Sequence, residues 1–151
     1  MGKYHQGKWA PRNPEKYQGD VNNIIYRSSW ELKAFIWFDL NPSILKWASE
    51  ELVIPYWSPA DQRMRRYFPD FVIQYKTNTG GVGNAVVEVK PAAQRSMPKA
   101  PKKQTQKYLN EVVTYATNQA KWEAATKWCD EKGWRFVILD EYDLGIKKRT
   151  K

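Results

Sequence analysis

The chain has 151 residues, enough for one domain built on a single core. Its residues are 42% apolar and 15% aromatic, with eight Trp, which excludes a wholly disordered chain, and no apolar run is long enough to span a membrane. A net charge of +9 points to a polyanionic partner, of which nucleic acid is the commonest, against the competing readings of an anionic membrane surface or simple solubility. The start, MGKYHQGKW, lacks the apolar stretch of a signal peptide. The single cysteine, Cys129, cannot form an internal disulfide and reads as a small core hydrophobe, and no Cys/His cluster offers a zinc site. An intracellular, reducing environment is expected.

Residues 1–23 mix Gly, Pro, Asn and Lys with Tyr4, Trp9 and Tyr17 and hold no sustained period, so they read as an irregular basic and aromatic arm. Within it, Arg12, Lys16 and the aromatics are placed to stack on the bases of a single strand or DNA end, with packing back on the domain as the alternative for Trp9 and Tyr17. Residues 24–146 form the domain, and 147–151 a solvated basic tail. From 28 to 39 the chain is apolar nearly all round and stops at Asn41-Pro42, which predicts a buried helix. Three strands follow. Residues 52–57 are short, and Pro55 places them towards a sheet edge. Residues 66–75 are rich in aromatic and β-branched side chains, and the turn TNTGGVGN joins them to 85–90 as a hairpin. The segment PAAQRSMPKAPKK, with three prolines, reads as a loop.

Helical spacing returns at Lys103, through Tyr108, Leu109, Val112 and Ala116 and then Trp122, Ala125 and Cys129. This is one long helix or two broken near Asn118, with Gly133 as the stop. Trp30, Trp37, Trp122 and Trp128 fall at helical positions and are expected in the core. Residues 134–139 make a last, nearly all-apolar strand suited to a covered place in a sheet. The order α-β-β-β-α(α)-β lets three strands pair as a meander and brings the last back by a crossover. The expectation is an α/β sandwich on a mixed four-stranded sheet.

Chemistry concentrates on two of the strands. Asp70 stands among apolar neighbours after Pro69, and the next strand carries Glu88-Val89-Lys90. Residues two apart on a strand share a face, so Glu88 and Lys90 project together, and in a hairpin Asp70 lies across from Glu88. Two carboxylates and an ammonium there need partners or a metal. Phosphodiester hydrolysis needs neutralised phosphate charge and an activated water. Mg²⁺ (or Mn²⁺), held by Asp70, Glu88 and the Val89 carbonyl, supplies both, with Lys90 orienting the water or countering developing charge. The competing reading makes Glu-x-Lys an ordinary exposed strand face. Glu31 also has two readings: the capping box Ser28-x-x-Glu31, which needs no catalysis, or a further acid of the site. His5, the only histidine, lies in the arm, so a histidine-based mechanism has nothing to stand on.

The trio Glu31, Pro69-Asp70 and Glu88-x-Lys90, on helix, strand and strand, resembles the PD-(D/E)xK nuclease superfamily, which implies a restriction-endonuclease-like α-β-β-β-α-β core. GKW, NPEKYQGD and YRSSWE near the start, and the later NEVVTYATNQAKW, resemble the head completion nucleases of T4-like tailed phages over nearly the whole chain. That resemblance implies Mg²⁺-dependent cleavage of DNA during head completion, processing or checking the packaged end before tail attachment. Head, portal or connector proteins would be partners, in the host cytoplasm during assembly and with retention in the virion an option. It implies Asp70 and Glu88 as metal ligands, Lys90 as the catalytic lysine and Glu31 as the helix acid. Some superfamily members carry a glutamine and a tyrosine on the following helix, and Asn110 and Tyr115 depart from that pattern. Transposase-type endonuclease subunits share the motif and usually carry a further domain.

Arg63, Arg65 and Arg66 precede the Asp70 strand, and Lys99, Lys102, Lys103 and Lys107 follow the Glu88-x-Lys90 strand, so both groups flank the site and are expected to track phosphates, or else form a solvated face. The alternatives to a head-completion endonuclease are a structural, DNA-end-binding protein with a silent site and a generic repair or recombination nuclease.

Overall fold

A computed structural model describes residues 6–148. His5 and, from the basic tail, Arg149, Thr150 and Lys151 lie outside the described residues. The chain begins with a two-residue strand, β1 (Gly7–Lys8), paired with β2 (Ile25–Tyr26). Helix α1 (Ser29–Leu40) follows, started by Ser28, whose Oγ accepts the Glu31 N–H at 3.1 Å. It ends where Pro42 forbids continuation. Strands β3 (Ile44–Ser49), β4 (Ile54–Ser58), β5 (Arg63–Tyr67), β6 (Phe71–Lys76) and β7 (Val82–Val89) come next, then α2 (Gln106–Lys132) and β8 (Arg135–Leu139).

One sheet in the order β3-β6-β7-β8 forms the centre. Its first three strands are antiparallel, and β8 returns parallel to β7 through the α2 crossover. The expected α/β class, mixed four-stranded sheet and core order are all present, as α1-β3-β6-β7-α2-β8. The long helix is continuous through Asn118 and stops at Gly133, whose φ of 70° is the left-handed conformation that glycine adopts without strain.

The strand assignments differ in two places. The expected strand at 52–57 is not the first strand of the sheet. That place belongs to β3, whose six residues ILKWAS are interrupted by Lys46 and carry a weak apolar signal. Residues 54–58 instead pair only with β5, making a separate hairpin inserted between β3 and β6. The single strand expected over 66–75 is also split. Pro69 is fully buried and has no N–H to give a ladder, so β5 ends at Tyr67 and β6 begins at Phe71. Asp70 therefore sits just before β6 rather than within a strand.

Two apolar layers cover the sheet. On one face Phe35 and Phe38 of α1 pack with Trp47, Phe71, Ala85 and Val87. Here the N-terminal segment folds back: Tyr17 stacks edge-on against Trp47 at 4.7 Å, and Trp9 lies 5.7 Å from Phe35. The segment is held at the α1 C-terminus. Buried Asp39 accepts the backbone N–H groups of Arg12 and Asn13, and Lys16 Nζ donates to the carbonyls of Phe38, Asp39 and Asn41 at 2.8–2.9 Å. The reading of Lys16 as a nucleic-acid contact is thereby corrected, since its ammonium satisfies the open carbonyls of a helix end.

On the other face, Trp122 and Ala125 of α2 pack with Ile54, Tyr56 and Tyr67 of the hairpin. Trp122 is in the core as expected, whereas Trp30 and Trp128 are half-buried and Trp37 is 50% exposed. An all-round apolar helix buries only the side facing its sheet, which here carries Ala34, Phe35 and Phe38.

Candidate active site

The register that pairs Phe71 with Val87 and Val72 with Val86 carries one step further to set Asp70 opposite Glu88. Alternation then sorts the faces. Val87 points into the α1 layer, while Val86, Glu88 and Lys90 turn towards α2 and the hairpin. Asp70 Oδ2 accepts the Val89 N–H at 2.7 Å, and the Asp70 carbonyl accepts the Glu50 N–H at 3.1 Å. These two bonds fix Asp70 at the end of the sheet even though it lies outside the ladder. Lys90 follows β7, where its N–H donates to the Leu139 carbonyl and its Nζ reaches Glu88 Oε2 at 3.9 Å.

Glu88 is 5% exposed, and its Oε1 has no hydrogen-bond partner. Burial and then the charge of Asp70 push its carboxyl up to about 8, with Lys90 pulling the other way. Burial also raises Asp70, against the Val89 N–H and Lys90. Both shifts have one physical meaning. Two carboxyls pressed together out of water lack positive charge, and Lys90 alone does not supply enough.

Glu31 reaches the same place from α1. It lines a cleft of about 400 Å³ with Trp30, Asp70, Val89, Lys90 and Gln94. Burial and then Asp70 push its carboxyl up to about 7, while the Arg27 backbone N–H holds it down. Of the capping box, the Ser28 half is present, while the Glu31 carboxyl takes the Arg27 backbone N–H. The Glu31 backbone N–H belongs to the cap, and its side chain enters the cleft beside Asp70.

Two residues at the site had not been singled out in the sequence. The Tyr67 hydroxyl is buried without a formed hydrogen bond and lies against Glu88, whose charge raises its pKa in addition to the larger effect of burial. Lys121 of α2 sits over the Tyr56 and Tyr67 rings at 5.8 and 5.7 Å. Burial and then Lys90 lower its pKa, with Glu88 and Asp70 opposing. Its signal was legible, because Asn118, Trp122, Ala125 and Cys129 trace the buried stripe of α2 and Lys121 falls on that stripe.

The expected phosphate contacts are placed less uniformly. Arg63, Arg65 and Arg66 are all exposed on β5. Arg65 is paired with Asp61, and the Arg66 guanidinium lies 5.8 Å from the Phe68 ring. Lys99, Lys102 and Lys103 are exposed on the connection to α2, and Lys107 is in its first turn. Asn110 and Tyr115 line a groove beside the cleft rather than the cleft itself.

Asp70, Glu88 and the Val89 carbonyl suit a hard divalent cation that keeps several of its waters. The orphaned Glu88 Oε1 and the uncompensated carboxylate pair are what such an ion would satisfy. Among the described residues, no group of three or more His, Cys, Asp or Glu converges closely enough for an all-side-chain cage. No helix among the described residues is long and apolar enough to cross a membrane.

A mixed four-stranded sheet between two helices, with two acids and a lysine converging where its central strands end, defines a restriction-endonuclease-like domain. The chain belongs to the family described as TnsA-like endonuclease N terminal, whose model matches residues 41–141. That span includes Asp70, Glu88 and Lys90 and begins after α1 and Glu31. More particularly, the Head completion nuclease of Enterobacteria phage T4 is 40% identical to it over 144 residues, covering 93% of each chain.

Proposed function

We propose that the protein is a divalent-metal-dependent DNA endonuclease of PD-(D/E)xK type that acts in phage head completion, processing or checking the packaged DNA end. The observation that carries the reading is the buried Asp70–Glu88 pair, with Lys90 Nζ 3.9 Å from Glu88 and an open cleft in front of Asp70. The family match supports an endonuclease, and the similarity to a head completion nuclease supports the biological setting. Head, portal or connector proteins as partners, and assembly in the host cytoplasm, follow from the same reading.

Asp70, Glu88 and the Val89 carbonyl would hold Mg²⁺, which Mn²⁺ could replace. Bound there, the ion would draw charge off a phosphate and make a water more acidic. The chain's own groups do the rest. The Val89 N–H fixes the Asp70 carboxylate through a bond of 2.7 Å. Lys90 lines the cleft beside Asp70, where its ammonium counters charge developing on the phosphate oxygens. Glu31, poised at about 7, can take a proton from water at neutral pH. Tyr67 lies against Glu88, and the Lys121 ammonium sits 5.7 Å from the Tyr67 ring.

Incubation with supercoiled, linear and single-stranded DNA and Mg²⁺ tests the reading, and cleavage of the closed circle marks an endonuclease. Asp70→Asn and Lys90→Ala should each lower turnover by about a hundredfold or more with the fold intact. Failure of the wild-type protein to cut any form would leave a DNA-end-binding structural protein.

A further inference from the structure

Lys121 falls on the buried stripe of α2 and is itself half-buried, beside Trp122 in the core. Among the described residues, its ammonium makes neither an ion pair nor a hydrogen bond. It lies instead over the Tyr56 and Tyr67 rings, at 5.8 and 5.7 Å. Both rings belong to the β4–β5 hairpin and are buried against α2. Attraction to the two ring faces holds the charge in one place.

That place is within electrostatic reach of the acids. Glu88 projects from the sheet face that α2 covers, and the Tyr67 hydroxyl lies against its carboxyl. The charges of Lys90, Glu88 and Asp70 all act on Lys121, that of Lys90 most strongly. A positive charge from α2 therefore adds to that of Lys90 in the field at the acid pair. The two lysines differ in access. Lys90 lines the cleft beside Asp70, whereas Lys121 does not line it, so a phosphate seated there meets Lys90 and not Lys121. What remains to Lys121 is action at a distance. A fixed charge in a half-buried setting is screened less than one at the surface, and it repels a divalent ion with twice the energy felt by a monovalent one.

We propose that Lys121 acts on the reaction through the metal site, as a positioning residue. It is a second fixed positive charge that, with Lys90, keeps the Asp70–Glu88 pair from holding its divalent ion tightly. This deepens the metal-dependent endonuclease reading and rests on it for the ion.

Isothermal titration calorimetry of the full chain with Mn²⁺ tests the proposal, without DNA and at about pH 8.5 to limit competition from protons. Lys121→Met keeps an unbranched stem against the two rings and removes the charge, so it should bind Mn²⁺ about tenfold more tightly than wild type. Lys121→Gln is a second neutral variant and should gain in the same direction. Lys121→Arg keeps the charge and should stay within about threefold of wild type. A damaged fold does not tighten a metal site, and a thermal melt of each variant in EDTA checks that the fold persists. Adding Glu88→Gln to Lys121→Met should abolish the gain, which ties it to this site. Equal or weaker binding in both neutral variants overturns the proposal, and so does a gain that survives Glu88→Gln. Absence of Mn²⁺ binding in every variant overturns it together with the metal-dependent reading. A wild-type protein that binds Mn²⁺ and gains nothing from either neutral variant overturns the proposal alone.

Discussion

Replacing Glu88 by Gln should stabilise the metal-free protein at neutral pH while abolishing cleavage. The native state holds the Glu88 proton up to about 8, against an ordinary 4.5. Because the folded pKa is raised, the associated stability is complete below the unfolded value and is lost as pH climbs through about 8. Between those limits the native state binds the extra proton, so unfolding free energy falls by at most about 1.4 kcal/mol for each pH unit. At pH 7 the accumulated loss reaches about 3 kcal/mol for a side chain only 7% exposed. Gln has almost the same shape and no charge, so it removes this loss. In EDTA the variant should melt higher than wild type by about 8 °C near pH 7, and the difference should vanish near pH 4.5. Thermal unfolding followed by circular dichroism across that range reads both points. Added Mg²⁺ should then raise the Tm of wild type and leave the variant unmoved. A Gln variant that melts lower at every pH, or keeps the wild-type slope, would refute the claim that Glu88 is a strained, metal-awaiting carboxylate.

Two further substitutions separate roles that meet in one residue or one contact. Glu31→Gln keeps the backbone bond to Ser28 Oγ and removes the acid from the cleft, so the Tm should hold while cleavage drops by more than about tenfold. Unchanged cleavage would leave Glu31 as a cap alone. Lys16→Met withdraws three hydrogen bonds from the carbonyls at the end of α1 and should cost about 2 kcal/mol, lowering the Tm by about 6 °C. DNA affinity should not change, and a selective loss of affinity without destabilisation would return Lys16 to the DNA-contacting surface.

Much of this was legible in the sequence because the governing interactions are local. The Ser28 cap, the stop at Pro42 and the left-handed Gly133 each follow from chemistry within a few residues, and the structure keeps all of them. The joint projection of Glu88 and Lys90 follows from the two-residue period of any strand. Opposition of Asp70 and Glu88 follows from the hairpin register. Pairing over longer distance was not legible. An apolar run around Pro55 reads the same whether it forms a sheet edge or a separate hairpin, and the choice fell to β3 because Trp47 fills the gap between Phe35 and Tyr17. Tertiary structure likewise decided what surrounds the acids. It carries Glu31 into the cleft and sets Tyr67 against Glu88, with Lys121 over the Tyr67 ring. Sequence alone determined which side chains leave their own element together, since backbone geometry sets direction. Which elements those side chains meet, and how much water remains between them, depends on how separate elements pack against one another.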